Sequence, residues 1–187
     1  VNLSHLHKVL EPGAEPSTRR WFVRAEAEFL ELCDDGLTVD AAELDEGCAR
    51  ARRLDDEGQG TAAIAAYEDA VARFRGDYLV DWPDAPWAEV ERLRLRTLAT
   101  GAMVRVGQLR LARGEPETAG VWAARVTRLE PLDDAAHRLF AQALAAQGNR
   151  AGAAATLRGL LARLAEERLG PERETVRLAS SLGVDLP

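Results

Sequence analysis

The sequence predicts a mainly α-helical protein in which pairs of helices stack as a solenoid. Alanine, leucine, glutamate and arginine, all good helix formers, dominate the chain, and aromatic residues make up only 5% of it. Gly58, Gly114 and Gly148 are each followed five residues later by alanine and preceded seven residues earlier by alanine or glycine. Gly114 and Gly148 are 34 residues apart, which is a period typical of helix-turn-helix repeats. Repeats of this kind build binding surfaces.

The first 38 residues predict a small helix followed by a β-hairpin. Leucines recur at helical spacing across residues 2–10, and a loop follows them. Residues 20–24 and 29–33 are short runs of β-forming side chains, which we expect to pair as a hairpin closed by Asp34-Asp35-Gly36. The N-terminal part therefore differs in architecture from the rest of the chain.

From Asp40 onward the pattern is helical, and we expect Asp40 to cap the first helix of the solenoid. Residues 76–86 predict an irregular connector, with Pro86 in the first turn of a long helix. The predicted helices span residues 41–56, 61–75, 86–112, 116–129, a stretch capped by Asp133 or Asp134 that ends at Gln147, 150–168 and 172–182.

Small residues are expected where the helices of a pair cross, because they let the two backbones approach closely. They are Ala51, Gly107 and Ala141 on the first helices, and Ala63, Ala119 and Ala153 on the second. In the long helix, apolar residues at helical spacing predict an inner face formed by Val90, Leu93, Leu98, Met103 and Val106. Three rings are predicted to fill the gap where the repeat is interrupted, namely Tyr78, Trp82 and Trp87.

Composition argues against several classes of function. The net charge of −7 disfavours binding of nucleic acid by the whole surface, although residues 1–24 carry four basic and two acidic side chains. No phosphate-binding glycine loop or nucleophile motif is present, so we expect no enzyme and no cofactor. His5 and His7 are two residues apart and point to different sides of a helix, so no metal site is predicted. The sequence shows no membrane span, and a cytoplasmic protein is expected.

Acidic residues beside arginines are expected to pair at i, i+4 within helices.

The connector carries a specific pattern. It contains Gly-Asp-Tyr-Leu at 76–79, then Trp82, then Pro-Trp-Ala-Glu-Val-Glu-Arg at 86–92. Together with residues 128–137 and 168–171, this pattern resembles the bacterial transcriptional activator domain, a tetratricopeptide-like module of regulators of the antibiotic regulatory protein type. The resemblance implies that residues 39–187 form this domain.

In that family a winged-helix DNA-binding domain precedes the activator domain, and residues 1–38 resemble its C-terminal part. The resemblance implies that further residues precede Val1 and that the intact winged helix binds promoter DNA. The residues implied in DNA contact are Asn2, Ser4, His5, Lys8, Arg19, Arg20 and Arg24. The predicted hairpin tip at 25–28 is acidic and lacks the family's usual glycines, which counts against DNA binding by this part alone.

The first helix of each pair is expected to line the inner surface of the solenoid. Four polar residues are predicted to face that groove and to bind an acidic or extended peptide, namely Arg52, Gln108, Arg138 and Gln142. The resemblance implies that the helical repeats contact RNA polymerase or a second copy of the chain. An alternative stays open, in which the repeats are a scaffold or signalling module of a larger regulator and make no DNA contact.

Overall fold

A computed structural model describes residues 3–13, 22–26, 29–33 and 38–185 of the chain. Among these residues a short helix and a hairpin precede seven further helices, and the mainly α-helical prediction is confirmed. The elements are α1 (Leu3–Leu10), β1 (Val23–Glu26), β2 (Phe29–Leu32), α2 (Asp40–Asp56), α3 (Gly60–Val71), α4 (Glu89–Ala112), α5 (Pro116–Leu129), α6 (Asp134–Ala146), α7 (Arg150–Glu166) and α8 (Arg173–Ser181). One turn of 3₁₀-helix, Pro86–Ala88, leads into α4.

The helices form the predicted pairs, α2 with α3, α4 with α5 and α6 with α7. Each first helix also packs against the next one, so that α2, α4, α6 and α8 lie in a row. The turn within each pair needs glycine, because Gly58, Gly114 and Gly148 adopt φ values of 74°, 76° and 82°. The residue after each glycine donates its backbone N–H to a carbonyl five residues earlier, as in the Schellman motif. One local motif therefore generates all three turns.

The predicted small residues are buried at the helix crossings. Ala51, Gly107 and Ala141 on the first helices, and their alanine counterparts on the second, are inaccessible to solvent. A side chain at Gly107 would place its Cβ 2.5 Å from Leu139 Cδ2 of α6. A second close crossing, which the repeat pattern does not contain, lies at Gly47 of α2, where a Cβ would be 2.7 Å from Ala70 Cβ of α3.

The helix ends differ from the prediction in detail. Val39, and not Asp40, is the residue that precedes α2, and the Asp40 carboxylate accepts from the N–H of Ala41 within the first turn. Helix α3 ends at Val71, four residues earlier than predicted, because the chain turns there and buries Phe74 against the core. Asp133 caps α6 as predicted, its Oδ1 lying 2.7 Å from the N–H of Ala136.

The connector is the largest departure from the sequence-based packing. Trp82 and Trp87 are exposed, so the prediction that they fill the gap in the repeat is wrong; Tyr78 alone packs against the core. Val90 and Leu93 are also exposed and do not belong to the inner face, whereas Met103 and Val106 are buried as predicted and Leu98 is half-buried. The first turns of α4 contact α2 through Arg94 and Asp45, but no neighbouring helix in the described part of the chain covers Val90 or Leu93.

The N-terminal strands pair antiparallel, with Val23 opposite Leu32 and Glu26 opposite Phe29. The two strands therefore pair directly with each other, and Asp34-Asp35-Gly36 follow the second strand in the sequence instead of connecting the two. These three residues lie outside the described part of the chain. Helix α1 contacts the hairpin through His7, whose Nε2 lies 3.1 Å from the carbonyl oxygen of Val23. Glu11 accepts a hydrogen bond from the N–H of Phe22.

Candidate protein-binding groove

A groove of about 630 Å³ opens between α2 and α4, in the row of first helices. Tyr67 of α3 reaches it between them. The α2 side carries Cys48, Arg52 and Asp55, and the α4 side carries Leu98, Gly101 and Arg105. Apolar and charged side chains thus both line this open groove.

Two bidentate ion pairs hold the walls of this groove together. Arg94 donates to both carboxylate oxygens of Asp45, at 2.7 and 2.6 Å. Arg105 donates to both oxygens of Asp55, at 2.5 and 2.8 Å. The hydrogen bonds from these guanidinium groups lower the pKa of both aspartates, so the carboxylates stay ionised. Fork-to-fork pairs of this type fix geometry as well as charge.

Most ion pairs among the described residues join different elements, so the expectation of pairing mainly at i, i+4 is wrong. Arg138 and Asp134, 3.8 Å apart, do form a pair at that spacing. Arg110 instead reaches Glu68 of α3 and Glu115 in the turn before α5, at 2.9 and 2.7 Å. Sequence spacing failed here because the arginines of α4 lie close to carboxylates of other helices.

Two polar groups in the groove are free to bind a ligand. Within the described part of the chain, neither the exposed Arg52 guanidinium nor the Tyr67 hydroxyl has a hydrogen-bond partner, and Arg52 has no ion-pair partner. Burial is the main cause that raises the pKa of Tyr67, so its hydroxyl is a neutral donor. Burial also raises the pKa of the Cys48 thiol to about 11, which keeps that thiol protonated and a poor nucleophile. The groove therefore offers hydrogen-bond donors and no activated nucleophile.

The other residues predicted for the inner surface of the solenoid lie on first helices but outside the groove between α2 and α4. Gln108 is exposed next to the groove, where its Oε1 accepts from Arg105 Nη1 at 3.3 Å. Arg138 lies away from the groove and joins α6 to the α8 region, donating to Glu172 at 2.7 Å and to Thr175 at 2.9 Å. Gln142 is exposed on α6. The groove between α2 and α4 thus contains Arg52, with Gln108 beside it.

Sequence reasoning missed the residues that shape the groove. Arg105 and Asp55 are 50 residues apart, and no local pattern links them. Tyr67, on α3, likewise has no local pattern that would place it in a groove between two first helices. The signal that could have found both is the repeat itself, since stacking the helices in register brings the middle of α2 next to the middle of α4.

The residues implied in DNA contact are only partly described. Ser4, His5 and Lys8 are exposed on α1. The backbone of Arg24 lies in β1, but its side chain is outside the described part, as are Asn2, Arg19 and Arg20. The structure therefore leaves DNA contact by this region as a prediction.

Two further findings concern the described residues as a whole. Their histidines, cysteines, aspartates and glutamates form no group of three that could hold a metal ion. None of their helices combines the length and the hydropathy that a membrane span needs.

Comparison with known proteins gives one result for this architecture. The family model described as the bacterial transcriptional activator domain matches residues 39–182. No curated protein matches the chain. The matched stretch contains all the helices from α2 to α8, and with them the whole of the groove.

Proposed function

Because the chain belongs to the bacterial transcriptional activator domain family, a family of regulatory domains and not of enzymes, we propose that it makes the protein contacts of a transcription regulator. The observation that supports this proposal best is the groove between α2 and α4. Its walls are fixed by ion pairs, while Arg52 and the Tyr67 hydroxyl face it without partners among the described residues.

The chemistry of the groove favours a particular kind of ligand. Free guanidinium and hydroxyl donors bind carboxylates or peptide carbonyl groups, and Leu98 and Gly101 offer apolar surface between them. We therefore propose that the groove takes an extended, carboxylate-bearing segment of RNA polymerase. Asp45 and Asp55 are already paired with arginines, and Asp56, which also lines the groove, makes no ion pair with Arg52 among the described residues.

Promoter selection belongs in this proposal to a complete winged helix, of which residues 1–38 supply the C-terminal part. The exposed Ser4, His5 and Lys8 would then face base edges in the major groove. Helices α2 to α8 would bring the polymerase to the promoter that the winged helix has bound.

A charge reversal in the groove tests the proposal. The full chain is joined to an unrelated DNA-binding domain, and transcription from a reporter with that domain's operator is measured. We expect Arg52→Glu to lower activation about tenfold, because loss of a guanidinium-carboxylate contact costs on the order of 1–3 kcal/mol. Measured protein levels should stay unchanged, since Arg52 is exposed.

The matched control is Arg50→Glu, an equally exposed arginine of α2 that lies outside this groove, beside α3. It should leave activation within about twofold of the original protein, as surface changes away from a contact normally do. Equal losses in both variants would contradict the role of the groove. Activation no higher than that of the DNA-binding domain alone would favour the alternative, a scaffold that does not recruit polymerase.

A further inference from the structure

The first turns of α4 extend beyond the start of α6, the next helix in the row. Arg96 reaches Glu130, four residues before α6 begins, at 3.4 Å, and so marks the level at which α6 starts. The residues of α4 that precede Arg96 lie past that level. The side of α4 that packs on α6 farther along therefore has no partner here.

The exposed side of the first turns of α4 is in line with the side that packs against α6 farther along the helix. Leu93, Thr100 and Gly107 are spaced by seven residues, so they share one side of α4. Thr100 is buried, and a Cβ at Gly107 would contact Leu139 of α6. Leu93, on the same side, is 66% exposed. This position in the row of first helices is therefore open and apolar.

Four apolar side chains mark this end of the domain, and we call them the overhang surface. They are Trp82, Trp87, Val90 and Leu93, exposed by 66%, 72%, 79% and 66%. Trp87, Val90 and Leu93 follow one another at helical spacing. Arg92 donates to the carbonyl oxygens of Tyr78 and Trp82 at 3.0 and 3.2 Å, so the backbone at Trp82 lies next to the first turn of α4. Exposed apolar groups clustered in this way are typical of an interaction site.

The charged groups around the overhang surface are unbalanced. Asp81, Asp84 and Glu89 are exposed and have no hydrogen-bond or ion-pair partner among the residues that the structure describes. The nearby arginines are already engaged. Arg92 binds the carbonyls of the connector, Arg94 binds Asp45 and Glu91, and Arg96 binds Asp77 and Glu130. Arg92 keeps its positive charge, because carbonyl oxygens are neutral, but the three free carboxylates outnumber it and the rim is acidic.

We propose that the overhang surface docks a basic amphipathic helix of a partner protein, laid on α4 where the row of first helices is interrupted. An apolar stripe on that helix would cover Leu93 and the tryptophans, and its lysines or arginines would face Asp81, Asp84 and Glu89. A second copy of this chain is disfavoured, since a two-fold contact would bring the two acidic rims together. The same rim repels nucleic acid and anionic lipid.

This inference rests on the proposed role in protein contact and adds a surface whose charge preference is opposite to that of the groove. The test uses the full chain and a labelled synthetic helix of leucine and lysine, with binding followed by fluorescence anisotropy. Saturable binding is expected. The double variant Val90→Ser, Leu93→Ser should weaken it at least about tenfold, because it removes the centre of the apolar contact and leaves the charge of the rim unchanged.

Two controls make the result specific. Val121→Ser changes a comparably exposed valine on α5 and should leave the affinity unchanged. A helix with glutamate in place of lysine should bind at least about tenfold more weakly, because it meets the acidic rim. Arg52→Glu, in the groove, should not weaken binding of the leucine-lysine helix. Failure of the groove experiment would therefore be distinguishable from failure here.

Several outcomes would overturn the inference. They are no binding of the leucine-lysine helix, equal binding of the glutamate helix, or equal effects of the α4 and α5 substitutions. Dimers that Leu93→Asp dissociates in analytical ultracentrifugation would show that a second copy occupies the surface and would also overturn it. Circular dichroism of each variant checks that the helices are retained, since all the substituted side chains are exposed.

Discussion

Replacing Leu139 by alanine is expected to lower the free energy of unfolding by about 3 kcal/mol, as for other fully buried leucines. Leu139 is almost inaccessible in α6 and extends toward the position where Gly107 of α4 has no side chain. The neighbouring helices are held by many other contacts, so the cavity should remain largely unfilled. The loss should therefore approach the middle of the range for such substitutions, and urea denaturation measures it.

The control for this prediction is Leu169→Ala. Leu169 is exposed in the turn after α7, and its loss should change the free energy of unfolding by no more than about 0.5 kcal/mol. If the two substitutions had equal effects, Leu139 would not lie at the junction of α4 and α6, and the stacking of the repeats would be wrong.

Two glycine-to-alanine substitutions should change stability in opposite directions. Both Gly47 and Gly101 lie inside helices, where alanine is favoured over glycine by about 1 kcal/mol. At Gly101 a Cβ has nothing within 4 Å, so the substitution should stabilise the fold by about that amount. At Gly47 the Cβ would lie 2.7 Å from Ala70 Cβ and 3.2 Å from its Cα, so α2 and α3 must separate.

The Gly47 substitution should destabilise the protein by about 1–3 kcal/mol, the usual cost of overpacking a well-packed interface. The atoms in the way are a methyl group and a backbone carbon, which cannot rotate aside as a long side chain could. Thermal and urea unfolding of the two variants in parallel check the prediction. Stabilisation by both substitutions would mean that α2 and α3 do not cross closely at Gly47.

The repeated architecture could be predicted because it depends on local rules. A glycine that adopts positive φ must end each first helix, and small residues must stand where the backbones approach, so both features recur at fixed spacing. Gly114 and Gly148 are separated by the length of one repeat, which made the repeat visible in the sequence. The short N-terminal helix and hairpin were predicted from equally local patterns of apolar and β-forming residues.

The exposure and the partners of individual side chains could not be predicted, because they depend on contacts between segments that are far apart in the sequence. Val90 and Leu93 have the spacing of core residues, but whether they are covered depends on where α6 begins relative to α4. The partner of Arg105 is likewise set by the stacking of two repeats, since Asp55 lies 50 residues away. Arg138 was predicted to face the inner surface of the solenoid, and its hydrogen bonds to Thr175 and Glu172 of the C-terminal region could not be read from local spacing.

Several arginines of α4 form hydrogen bonds to other elements of the structure. Those that bond to other elements, Arg92, Arg94, Arg96, Arg105 and Arg110, are spread along its length and reach carbonyls or carboxylates of α2, α3 and the connecting segments. These contacts leave few free cations near the groove and the overhang surface. Arg52 therefore stands out as a cation available to a partner, and the acidic rim of the overhang surface remains unneutralised.

The central claim is that the row of first helices, and α4 above all, carries the surface that a partner protein contacts. Hydroxyl-radical footprinting of the full chain, alone and bound to bacterial RNA polymerase holoenzyme, tests it most directly. We predict protection of Leu98 in the groove and of Trp87 and Leu93 on the overhang surface, while the exposed Val121 of α5 stays reactive. Protection of Val121 with no change at Leu98, Trp87 and Leu93 would contradict the claim.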